Sequence, residues 1–194
     1  MAGSFGPVNG SRENENVLLT IGHSTRSIDE FLALLLAHGV SRLVDVRTVP
    51  RSRHNPQFNR DTLPEALADE GILYTHLPGL GGLRHARADS PNRGWHNESF
   101  RGFADYMQTE EFAENIEKLM EMGKKERIAV MCAEALPWRC HRSLIADALM
   151  VRGVSVAHIM GKAKLVAHEL TSFARTHGTT IIYPAEEQRE EGQP

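Results

Sequence analysis

Cysteine is scarce in this chain: two in 194 residues, Cys132 and Cys140. Two thiols cannot build a disulfide framework, and the expectation is a protein held in a reducing, cytoplasmic setting. Long apolar runs are missing too. Nothing approaches the roughly 20 residues of a membrane span, and the opening MAGSFGPVNGSRENEN has no apolar core of the signal-peptide kind. No membrane partner is expected. Neither sign of charge prevails, since 22 Lys and Arg face 25 Asp and Glu for a formal net charge of -3. A global basic field that would draw the chain to nucleic acid is therefore absent, and such a partner would have to be met by a local patch. What is plentiful is core material: 41% of the residues are hydrophobic, enough for one domain with its own interior.

The apolar pattern divides that domain. Residues 17–21 form a strand-like run, and Ser27 with Glu30 has capping-box spacing ahead of an apolar helix over 31–37 that stops at His38-Gly39. Residues 43–46 read as a second buried strand. After a polar, cationic loop over 48–60, a short helix is expected at 63–70 and a third strand at 72–77. Residues 78–99 are rich in Gly, Arg and His, and loops of that length in compact domains are functional or disordered as a rule. Residues 100–123 are helical in pattern, in two pieces around Thr109. A buried strand over 128–131 ends on Cys132, and Leu144, Ile145, Ala148 and Leu149 place one apolar stripe on a helix closed by Gly153. A strand at 154–159, a helical segment at 168–176 and a strand at 180–183 complete the pattern. Strands alternating with helices predict a three-layer α/β fold with a mainly parallel sheet flanked by helices. It forms a single domain over 17–184, between a flexible tail at 1–16 and a charged tail at 185–194.

In such sheets the polar loops after the strands gather at one edge, where ligands bind. One of them holds both cysteines, and Cys140-His141-Arg142 stands at the start of a helix, whose free N–H groups favour an anion. Arg47, Arg51, Arg53, His54 and Asn55 come from the cationic loop, Arg84 from the long one, and His23 with Ser24 from the turn after the first strand. Their forked or polar donors suit phosphate or carboxylate. The structural alternatives are plain: the arginines pair with Asp45, Asp61 and Glu65; Ser24 caps the next helix; Trp138, Trp95, Phe58 and Tyr106 pack. Cys132, Glu134, Cys140 and His141 have three chemical uses. One thiol is a nucleophile with His141 or Glu134 as base, or the two thiols form a redox pair outside the Cys-x-x-Cys pattern. Alternatively Cys, Cys and His bind zinc or iron with a further ligand such as His54 or His85. The spacing speaks against metal, because two cysteines eight apart lack the two-to-four-residue knuckle, so no residue is assigned to a metal and no cofactor is named. The leading expectation is an enzyme that binds a phosphorylated or otherwise anionic small molecule, a nucleotide among the options. Cys132 or Cys140 would act with Glu134 and His141, while Arg47, Arg53 and Arg142 hold the anion. The alternatives are a nucleic-acid-binding module with structural cysteines, and a metal-binding or thiol-redox protein. Nothing in the pattern fixes an oligomeric state.

Seven short motifs occur in order: Thr20-Ile21-Gly22-His23-Ser24, Asp45-Val46-Arg47, Pro50-Arg51-Ser52-Arg53, Asn55-Pro56-Gln57-Phe58, Leu80-Gly81-Gly82, Cys132-Ala133-Glu134 and Cys140-His141-Arg142. Together they resemble the bacterial and archaeal domain-of-unknown-function family 488 over about residues 17–184. The resemblance implies a small α/β cytosolic domain and carries no activity with it. A second similarity is to the rhodanese sulfurtransferases, where an Asp-x-Arg element follows a strand and a strand-end cysteine sits in an anion-cradling loop. Here the stretch from Cys132 to Arg142 spans eleven residues with Pro137 and no glycine, in place of a tight six-residue cradle.

Overall fold

A computed structural model describes residues 17–185. The tail expected at 1–16, and all but the first residue of the one expected at 185–194, lie outside the described residues. The first strand, β1 (Val17–Gly22), is followed by α1 (Ile28–Ala37), β2 (Arg42–Asp45), α2 (Leu63–Asp69) and β3 (Leu73–His76). Two helices, α3 (Glu98–Tyr106) and α4 (Glu110–Lys125), lead to β4 (Ile128–Cys132), α5 (Arg142–Met150) and β5 (Ser155–Gly161). An edge strand, β6 (Lys164–Ala167), and a separate hairpin, β7 (Arg175–His177) with β8 (Thr180–Ile182), close the chain. The main sheet has the order β3-β2-β4-β1-β5-β6, parallel throughout except for β6, which runs antiparallel to β5.

Side chains alternate across a strand, and here the alternation feeds two cores. Leu19, Ile21, Leu43 and Met131 meet α1 and α2 through Phe31, Leu35, Leu63 and Leu67. Leu18, Val44, Val130 and Val156 face the other way, against Phe103, Phe112, Ile116 and Leu144 of α3, α4 and α5. This is the three-layer fold expected from the pattern. The strands are apolar almost without interruption because both faces of the sheet are covered. Local signals also do their work. The Ser27 hydroxyl accepts from the Glu30 N–H at 3.2 Å, and that of Thr109 accepts from the Phe112 N–H at 3.2 Å, so Thr109 starts α4 and splits the stretch in two. No helix among the described residues is long and apolar enough to cross a membrane.

Two expectations are corrected and one element is added. Residues 168–176 are not helical: the segment is tied to α5, whose Asp147 carboxylate takes the Thr171 N–H at 3.1 Å and its hydroxyl at 2.7 Å, and its end is drawn into β7 by pairing with β8. The edge strand β6 was unforeseen, since its four residues are all exposed and show no buried face. Trp138, expected to pack, stands 62% exposed.

Candidate active site

The chain leaves β1 toward α1 on one face of the sheet and leaves β4 toward α5 on the other. The two strands are neighbours, with Gly22 level with Cys132. Their pairing runs on past the sheet: the His23 N–H donates to the Cys132 carbonyl at 3.0 Å, and the Ser24 N–H to that of Ala133 at 2.9 Å. Between neighbouring strands whose connections diverge, a crevice opens at the carboxyl ends, and a cleft of about 730 Å³ lies there. Gly22 is required at the end of β1, because a Cβ would stand 1.9 Å from the Glu134 carbonyl oxygen. Ser24 turns the chain in the left-handed region at φ 52°, and it is Ser27, not Ser24, that caps α1.

Cys132 comes from the end of β4, Cys140 from the end of a 3₁₀ turn at Pro137–Arg139, and His141 from the position before α5. Their ligand atoms lie within 4.8 Å of one another, and all three residues line the cleft. The His141 Nε2 contacts the Leu80 carbonyl at 3.1 Å, to which it must donate. In the neutral ring the lone pair is then on Nδ1, which faces Cys132 Sγ at 3.9 Å and Cys140 Sγ at 3.7 Å. Gly82 gives this ring room, since a Cβ there would come within 2.5 Å of Nδ1. The two thiols share a proton unequally. A hydrogen bond from Cys132, helped by the Arg142 charge and opposed by burial, holds Cys140 far below the ordinary thiol range. The same bond, together with burial, pushes Cys132 up. The cluster thus sets a thiol biased toward its thiolate beside an imidazole, the pairing of nucleophile and base that thiol chemistry uses.

The residues expected to hold an anion divide into two sets. His23, Ser24, Arg47, Arg51 and Asn55 line the cleft, as does Glu134. Yet Arg47 is buried and occupied: its Nε and Nη2 donate to Asp45 at 2.9 and 2.6 Å, Nη2 also to the Phe58 carbonyl at 2.6 Å, and Nη1 to His23 Nε2 at 3.2 Å. Asp45 already balances its charge. His23, stacked on Phe58 at 4.3 Å, donates through Nδ1 to the Ser24 carbonyl and accepts from Arg47. Burial chiefly, with the Arg47 charge, lowers its pKa to about 4, so the ring is neutral and has no lone pair left for a base. Arg53, His54, Arg84 and Arg142 are outside the cleft lining. Arg53 and His54 are exposed. Arg84 lies 3.5 Å over the Tyr106 ring and donates to the Gly79 and Gly81 carbonyls, clamping the long loop. That loop is ordered, its Ser90 and Asn92 side chains donating to the buried Asp105.

Arg142, expected to grip the anion, is 1% exposed and braces the cleft from behind, donating to the Glu134 carbonyl at 2.6 Å and to Thr20 Oγ1 at 3.4 Å. Behind it runs a chain absent from the expectations: Thr20 Oγ1 to His158 at 2.7 Å, His158 to His168 at 3.0 Å, His168 to Asp147 at 2.8 Å. An aspartate inside the apolar stripe of α5 was its only sequence signal. Arg139, exposed and lining the cleft, was also missed, although it adjoins Cys140.

A family model described as a domain of unknown function, DUF488, matches residues 27–149, which include the cysteines, His141 and Arg142. Comparison with curated proteins and with solved structures gives no match.

Proposed function

Because the chain belongs to the DUF488 family, whose description names no reaction, the site itself has to indicate one, and we propose an enzyme that binds a small anionic molecule in this cleft and acts on it through the Cys132–Cys140–His141 cluster. One observation carries the proposal: a thiol pair and an imidazole meet at the floor of a cleft whose walls hold Arg51 and Arg139. Among the described residues neither arginine has an ion-pair partner. Arg47 and Arg142 shape the site, while Arg51 and Arg139 are the donors left for a phosphate or carboxylate. Glu134, exposed on the same cleft, is the available carboxylate for proton transfer. A nucleic-acid interface is disfavoured, since two of its supposed cations point their donors inward to buried partners.

Calorimetric titration with inorganic phosphate, pyrophosphate and a panel of phosphorylated and carboxylated small molecules tests this. The expected result is saturable binding of at least one class, weakened roughly 10–100-fold by Arg51→Ala, the worth of a charge-assisted hydrogen bond. Binding indifferent to Arg51→Ala and Arg139→Ala would overturn the proposal. So would tight binding of DNA or RNA with a steep salt dependence.

A further inference from the structure

We propose that Cys132, Cys140 and His141 are three protein ligands of a tetrahedral zinc site, with the fourth position open to the cleft. The proposal deepens the function given above, because it takes the same cluster as the reactive centre and states how it acts. Its geometry is that of a ligand set. With Zn–S near 2.3 Å and Zn–N near 2.0–2.1 Å, a tetrahedral ion holds sulfur and nitrogen roughly 3.6 Å apart. His141 Nδ1 lies 3.9 and 3.7 Å from the two sulfurs.

The surroundings agree. A metal-binding histidine commonly donates its other ring N–H to a backbone carbonyl, which fixes the ring and aims the lone pair, and His141 Nε2 has the Leu80 carbonyl at 3.1 Å. The missing knuckle is no obstacle here. The two cysteines are brought together by the end of β4 and the end of a 3₁₀ turn, and their neighbours are held by the Arg142 donation to the Glu134 carbonyl. His54 and His85, the sequence candidates for a fourth ligand, are exposed and outside the cleft lining. Three protein ligands plus an open position is the pattern of catalytic rather than structural zinc, which turns a bound water into a nucleophile at neutral pH. In the zinc deaminases, one class with Cys, Cys and His ligands, a glutamate that is not a ligand moves the proton. Glu134 lines this cleft and is outside the ligand cluster.

The test is elemental analysis of the full chain purified without chelators, followed by cobalt(II) titration of the stripped protein. The expected results are one zinc per chain, and a cobalt complex with thiolate charge-transfer absorption and the intense visible bands of tetrahedral coordination. Zinc should also protect both thiols of the wild-type protein from alkylation, a readout that needs no variant. Gly82→Ala, which crowds His141, should weaken metal binding roughly 10–100-fold, the usual cost of disturbing a ligand's support. Substoichiometric metal, no charge-transfer band and thiols that zinc does not protect would overturn the site. So would a Cys132–Cys140 disulfide that forms readily in air and leaves metal uptake by the reduced protein undetectable. The two proposals fail separately: metal without anion binding would sink the function proposed above, and anion binding without metal would sink this one.

Discussion

Helix α5 has a polar cluster at each of two sites, and the two are built on opposite terms. Behind the sheet, Asp147 receives His168, the Thr171 N–H and hydroxyl, and the Tyr183 hydroxyl. His168 is joined through His158 and Thr20 to Arg142. Nearly every donor there has an acceptor, the exception being Arg142 Nε; Thr20, Arg142, Asp147, His158 and Tyr183 are buried, with His168 and Thr171 half-buried at the margin. At the start of the helix, by contrast, the imidazole nitrogen of His141 faces the two sulfurs at 3.9 and 3.7 Å, too long for strong hydrogen bonds, beside an open cleft. The first arrangement spends its polar groups on holding β1, α5, β5 and the final hairpin together. The second leaves lone pairs for something else. Residue type does not separate them, since both contain histidine; what separates them is whether the lone pairs are already used.

The difference can be broken most sharply at Asp147. Asp147→Ala leaves His168, Thr171 and Tyr183 facing a void, and should cost about 3–5 kcal/mol, as removing one partner from a buried charged network does, read by urea unfolding. The corresponding change in the open cluster, Cys140→Ser, should cost far less stability while abolishing activity.

A smaller effect is expected with pH. Burial, with the charges of His168 and Arg142, lowers His158 to about 4 from its ordinary 6.5. Between those values the unfolded ring is protonated and the folded one is not, so unfolding takes up a proton. Stability from this group is therefore complete above about 6.5 and lost as pH falls toward 4. His23 should act in the same direction, being lowered to about 4 as well. His158→Gln should reduce the slope of unfolding free energy against pH in that window by about one proton's worth; an unchanged slope would show that the ring is not held neutral. The smallest effect belongs to Arg51→Ala, which should leave stability within about 0.5 kcal/mol, as exposed substitutions do. Arg47→Ala, stranding the buried Asp45 charge, should be strongly destabilising.

Much of this was legible beforehand, for identifiable reasons. Strands buried on both faces show as unbroken apolar runs, so β1, β2 and β4 could be placed from residues 17–21, 43–46 and 128–131, and with them the loops that converge on the cleft. Capping residues such as Ser27 and Thr109 act within one turn and are local by nature. What sequence could not reveal was how far each polar group is already committed. Arg47, Arg84 and Arg142 look alike in a string of letters: pairing of Arg47 with the nearby Asp45 was an open alternative, whereas Thr20 reaches Arg142, and His23 reaches Arg47, only through the topology. The same holds for the cysteines: eight positions apart they seem unsuited to share anything, and only the 3₁₀ turn at Pro137–Arg139 brings them together.

The most direct test of the cluster is the pH dependence of alkylation at Cys132 and Cys140 in native, metal-stripped protein, read by peptide mass spectrometry. The account predicts that Cys140 reacts with an apparent pKa well below the roughly 8.5 of a free cysteine, while Cys132 stays unreactive until far higher pH. Two thiols that titrate alike and near that value, or that are both inert in the folded protein, would contradict it and return the cysteines to the role of core packing.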